Sequence, residues 1–172
     1  NIFRTTQAAL AGTTVVTNNN NTYAGDWRVD SGFIRFSNAA QLGTLTTANS
    51  LKGNGGTFDI KGRTETLGAF TLTNGTLTDG AAVGSKGLLK AASYAVSNGT
   101  INAVIADGPG GPSAMTKTTS GHLWINTTNT YTGGTNLVDG RIYAGADGTL
   151  GTGILTLTGG RLMSNGATDR TF

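Results

Sequence analysis

Thr135-Asn-Leu-Val-Asp-Gly140-Arg-Ile-Tyr-Ala144 is two short β-type runs joined at an Asp-Gly corner. Leu137 before the corner, and Ile142 and Ala144 after it, alternate with polar or amphipathic neighbours. That period of two marks a half-buried strand. Similar units are anchored on Gly12, Gly32, Gly56, Gly75, Gly99, Gly121, Gly140 and Gly160, at spacings of 20, 24, 19, 24, 22, 19 and 20 residues. Asn-Gly and Asp-Gly also close two-residue hairpins, but a meander of hairpins turns about every 8–12 residues. Here one kind of corner returns about every 21 residues, enough chain for a rung of three short strands, and a period of roughly 20–50 residues is the signature of stacked repeats. The spacing predicts an all-β chain wound as a parallel β-helix (β-solenoid) of about eight rungs, each ~21 residues long. At ~4.8 Å per rung the rod is roughly 40 Å long.

Two residues after each glycine stand Thr14, Ile34, Phe58, Leu77, Ile101, Leu123, Ile142 and Leu162. All but Thr14 are large and apolar, so Ile34, Phe58, Leu77, Ile101, Leu123, Ile142 and Leu162 are expected to form one core ladder. The position between holds Thr13, Phe33, Thr57, Thr76, Thr100, His122, Arg141 and Arg161, and is expected to face outward. The eight glycines are the predicted structural corners, because glycine adopts positive φ without steric cost. One ladder, at roughly 1.5–3 kcal/mol per buried side chain, falls far short of a backbone entropy of roughly 1–2 kcal/mol per residue. Several ladders must be buried together, as stacked rungs allow. Residues 1–172 read as a single solenoid domain with two protruding loops. One spans 80–90, small and polar; the other spans 107–112 and holds both prolines, which would each cost a central strand a ladder hydrogen bond.

Composition agrees with strands and excludes several functions. The chain has 28 Gly, 31 Thr and 15 Asn but one Glu, and its 12% charged residues are about half the usual share. Net charge is +3 with a pI near 9.5, yet the cations are scattered singly, so no basic face for nucleic acid is expected. There is no cysteine, which suits a repetitive protein in an oxidising space, and no apolar run near the ~18 residues of a membrane span. Asn1 is not a start methionine, so the chain reads as processed or cut from something longer.

Asn129-Thr-Tyr-Thr-Gly-Gly-Thr135, Asp139-Gly-Arg-Ile-Tyr143 and Gly148-Thr-Leu-Gly151 together resemble the passenger-associated transport repeat (autotransporter-associated β-strand repeat) of bacterial autotransporter passengers and related giant surface proteins. A second copy is Asn21-Thr-Tyr-Ala-Gly-Asp-Trp27, Ser31-Gly-Phe-Ile-Arg35 and Gln41-Leu-Gly43. The copies lie near 12–45 and 121–151 and share the motif residues Asn21, Tyr23 and Gly25, and Asn129, Tyr131 and Gly133. The first has Asp26-Trp27 where the second has Gly134-Thr135, a change expected to alter a surface corner only. The resemblance implies a right-handed coil, the hand the general crossover rule also favours. It further implies export to the outer surface of a bacterial cell and a role as a rigid spacer, stalk or fibre segment.

Constellations for chemistry are sparse. Asp59 and Asp79 could lie one rung apart on one face, the nearest approach to a carboxylate pair, and read otherwise as two solvated surface acids. His122 is the single histidine, in an outward slot, so neither a metal site nor a Ser-His-Asp triad has support. Gly84-Ser-Lys-Gly87 lacks the upstream glycine of a phosphate loop. No catalytic, cofactor-binding or metal residue is predicted.

Both ends read as open rungs. Continuing from Gly160 through residue 172 into residue 1 of another copy brings the next corner glycine after 24 residues, inside the internal range. The expected partner is therefore another copy or a tandem unit, stacked end to end through unpaired strand edges. The functional expectation is a structural, extracellular, non-enzymatic stalk or fibre segment. An alternative is an adhesin for a surface glycan or host protein, with exposed Trp27, Phe33 or Tyr143, or the two loops, as contacts. A third reading is a polysaccharide-cleaving β-helix enzyme acting through Asp59.

Overall fold

A computed structural model of the protein describes residues 2–5, 13–16, 25–36, 48–166 and 171, the first two segments as backbone strands alone. Gly12, Asn21 and Tyr23, and the Gln41-Leu-Gly43 end of the first repeat copy, lie outside the described residues. Among the described residues there is no helix, and so none long and apolar enough to cross a membrane. Fifteen strands join in one sheet, parallel at each pairing, wound as a β-solenoid.

Two ladders run the length of the rod on either side of the glycine corners. Ladder A stacks Ile2–Thr5, Asp26–Val29, residues 50–53, 69–72 and 93–96, Ala114–Lys117, Thr135–Leu137 and Leu155–Leu157. Ladder B stacks Thr13–Val16, Phe33–Phe36, residues 57–59 and 76–78, Gly99–Asn102, His122–Ile125, Arg141–Ala144 and Arg161–Ser164. A third side is a regular ladder only at residues 64–67, 88–91 and Val104–Asp107. It continues as irregular chain hydrogen-bonded rung to rung, with Thr130 N–H on Ile105 O, Asn129 N–H on Gly148 O and Gly148 N–H on Thr171 O. Six rungs follow without a break between residues 48 and 166, so the coil makes about six turns, slightly fewer than eight. The pairs at 2–16 and 26–36 extend both ladders at its N-terminal end.

The alternation read from the sequence is the alternation of burial. Trp27 and Val29, Ile34 and Phe36, Leu123 and Ile125, and Ile142 and Ala144 face inward, each next to a half-exposed neighbour. The core rows hold aromatics that meet across rungs, among them Phe36 on Phe58 with ring centroids 6.5 Å apart and Tyr94 on Tyr131 at 5.9 Å. Of the predicted corners, Gly32, Gly75, Gly99, Gly140 and Gly160 have φ between 72° and 123°. Gly56 and Gly121 turn without positive φ; at Gly56 the constraint is space, since a Cβ there would stand 2.1 Å from Val29 Cγ1.

Two expectations need correction. The core ladder is not one column: Ile34, Phe58, Leu77 and Ile101 stack in register, but Ile101 is followed by Ile125, while Leu123 sits over Gly99. Leu123, Ile142 and Leu162 then form their own column. A slip of two residues keeps the same side chains facing inward, so burial survives it. The first loop is also shorter than 80–90: residues 80–87 leave the sheet, and Leu88–Val96 is a strand with Leu89 fully buried. Residues 108–112 form the second loop, with Pro109 and Pro112 exposed.

Candidate functional site

The outward side of ladder B at its last three rungs gathers a cluster of polar and aromatic side chains. Strand register stacks His122 on Arg141 on Arg161, and beside them Trp124 on Tyr143 on Met163. Trp124 and Tyr143 lie nearly parallel, 10° apart with centroids at 5.1 Å, and His122 tilts against both. Arg141 Nη1 approaches His122 Nε2 at 3.3 Å. With the corner residues Ser120, Asp139, Gly140 and Gly160, the basic column lines a cleft of about 340 Å³. Asp139 is its single carboxylate, and Asp139 Oδ1 accepts the Gly140 N–H at 2.6 Å. Tyr143 is half-buried on the outward row, beside the cleft but not part of its lining. Trp27 is not a surface group: it is 3% exposed in the core, because its strand places it on the inward row in register with the buried Leu51. Phe33 is half-buried under Arg35, whose guanidinium carbon stands 5.1 Å from the ring centre.

Asp59 and Asp79 are neither solvated acids nor a pair poised for chemistry. Both are buried and saturated by donors. Asp59 Oδ1 accepts the N–H groups of Lys61 and Gly80, and Oδ2 accepts Arg35 Nε–H at 2.9 Å. Asp79 accepts from Gly62 and Ala81 through Oδ1 and from Gly87 through Oδ2, so its carboxylate gathers both ends of loop 80–87. Asp107 does the same for the proline loop, accepting from Ser113 N–H, Thr132 N–H and Thr132 Oγ1–H. Acids of this kind hold irregular chain by satisfying orphan backbone donors.

Two further charged groups sit on inward rows. Glu65 is 1% exposed and accepts Arg63 Nε–H at 2.7 Å; burial outweighs the arginine and pushes its carboxyl up to about 7. Lys117 lies between Val96 and Leu137 in ladder A, where burial lowers its pKa and Nζ donates to the carbonyls of Thr119 and Asp139. Neither was visible in the sequence as an inward charge, although Lys117 stands two residues after Met115 on the same alternation.

The repeat motif is a hydrogen-bonded unit between rungs. Asn129 Oδ1 accepts Ile105 N–H at 2.9 Å from the rung before, and its Nδ2–H donates to Thr149 O at 2.7 Å in the rung after. Tyr131 is buried, its hydroxyl 2.5 Å from Thr135 Oγ1, which donates to Leu150 O. A Cβ at Gly151 would lie 2.4 Å from Tyr131 O, and one at Gly133 would lie 2.5 Å from the carbonyl carbon of Ser113. Gly25 of the first copy accepts Asn49 Nδ2–H on its carbonyl. Thr135 and Trp27 therefore share an inward position, and the difference between the copies is one of core filling rather than a surface corner. The chain matches no protein-family model, no curated protein and no solved structure. Among the described residues no three His, Cys, Asp or Glu side chains come together to hold a metal.

The last rung leaves its inward row open. Leu157 is 55% exposed although its register partner Leu137 is fully buried, and Ile154 beside it is 81% exposed. Leu155–Leu157 and Arg161–Ser164 each close the strand order of the sheet, with a ladder partner on one side.

Proposed function

We propose that the protein is a structural rod: a β-solenoid stalk or fibre segment of a bacterial surface protein, exported and joined end to end to further rungs. The observation that carries this reading is the exposed Leu157, in a row with the half-buried Leu155 and Leu162, on a rung whose strand edges continue both ladders. Apolar side chains on an open strand edge are a template for another strand, and another rung buries them at about 25 cal/mol per Å². Further rungs from a second copy or from tandem sequence would cover the row equally well. Export and the cell-surface location follow from the repeat resemblance of Asn129–Gly151, whose residues form the inter-rung unit described above.

Electron microscopy of the purified chain at rising concentration tests the reading. Rods that lengthen by whole chains, and that stay one chain long in Leu157→Asp, are the expected result. Wild-type rods that remain one chain long at high concentration would refute end-to-end joining. Antibody labelling of intact cells that detects nothing outside would refute the surface location.

A further inference from the structure

Most of the described cations outside the cleft have a partner. Arg28, Arg35, Lys52 and Arg63 each lie within 2.9 Å of a carboxylate. Lys61, Lys86 and Lys117 donate to backbone carbonyls. Among the described residues no ion pair engages Arg141 or Arg161, and Arg141 meets His122 instead. The two arginines are register partners on adjacent parallel strands, both facing outward, with His122 completing the column. Like charges directly opposite on paired strands destabilise a sheet, so the rod alone gains nothing from this arrangement.

We propose that this cleft binds a carboxylated polysaccharide lying along the rod axis, its carboxylates on Arg141 and Arg161. Each guanidinium offers a planar fork that matches a carboxylate with two parallel hydrogen bonds. The two forks repeat at the rung spacing of ~4.8 Å, so one chain laid along the axis brings its carboxylates within reach of both arginines. The Trp124–Tyr143 stack and Met163 form an apolar flank along which the C–H edges of the sugar rings lie. A nucleic acid suits the site less well, since two guanidiniums beside a carboxylate make no broad basic face.

Calorimetric titration with oligogalacturonate, and with a neutral maltooligosaccharide of equal length, tests the proposal. The acidic oligomer is expected to bind more weakly as salt rises, and the neutral one not to bind. Arg141→Gln and Arg161→Gln should each weaken binding about tenfold or more, the loss of a charge-assisted hydrogen bond. Asp139→Asn should tighten it, because it removes a negative charge and keeps the acceptor for Gly140 N–H. This variant also keeps the test alive if an arginine variant folds poorly. No binding of the acidic oligomer would overturn the proposal, as would undiminished binding by the double arginine variant. Equal competition by an oligonucleotide of matched charge would overturn the assignment to a polysaccharide.

Discussion

Asn129→Ala should be among the most damaging single substitutions in the rod, though it removes only a small polar side chain. Asn129 is 2% exposed and joins three successive rungs through Ile105 N–H and Thr149 O. Truncation leaves a buried donor on one rung and a buried acceptor on another, at about 1–3 kcal/mol each. The expected cost is therefore about 4 kcal/mol, a large part of the 5–15 kcal/mol that typically holds a domain folded. Asn126→Ala is the matched control: Asn126 is exposed, and its Nδ2–H bond to Asn102 Oδ1 competes with water, so its loss should cost about 0.5 kcal/mol or less. Guanidinium unfolding followed by circular dichroism gives the two midpoints. Amide exchange gives the local readout, since the Ile105 N–H should exchange faster in Asn129→Ala and unchanged in Asn126→Ala. Equal destabilisation by the two variants, or an Ile105 amide as protected as in the parent, would refute the assignment of Asn129 as an inter-rung bridge.

Glu65 makes stability depend on pH in an unusual direction. Burial raises its folded pKa from 4.5 to about 7, so its contribution is complete below the lower value and is lost as pH rises through the higher, by about 3 kcal/mol in all. The Tm should fall between about pH 5 and about pH 8, and the fall should flatten in Glu65→Gln; a Tm rising over that range would contradict the buried acid. Asp79→Ala frees the N–H groups of Gly62, Ala81 and Gly87, and should cost about 3 kcal/mol and open loop 80–87 to a protease, visible as a single early cut. Gly140→Ala should cost about 3 kcal/mol or more in a melting experiment, because its Cβ would stand 2.2 Å from Thr119 O at a φ of 81°. Gly84→Ala, in open space but at a φ of 87°, is its control: it keeps the backbone strain of about 1–2 kcal/mol without the steric clash, and should cost less than Gly140→Ala.

Much of the architecture was legible in the residues themselves, because its determinants are local. Alternation along Phe33-Ile-Arg-Phe36 or Arg141-Ile-Tyr-Ala144 states which side chains are buried, and a glycine between two such runs states where the chain turns. The recurrence of that unit every ~21 residues separates stacked rungs from hairpins. The tertiary structure decided which rung sets its neighbour's register, and everything that depends on it. A slip by two residues preserves the buried face, so nothing in the pattern reveals that Ile101 is followed by Ile125 rather than Leu123. Burial of Trp27, Glu65 and Lys117 depends on the rungs above and below them, which lie some twenty residues away in the chain. Asp59 and Asp79 look like surface acids until the folded backbone turns its orphan N–H groups toward them. The cleft exists for the same reason: His122, Arg141 and Arg161 are isolated polar residues in the sequence, and only parallel pairing at the rung spacing stacks them into one column.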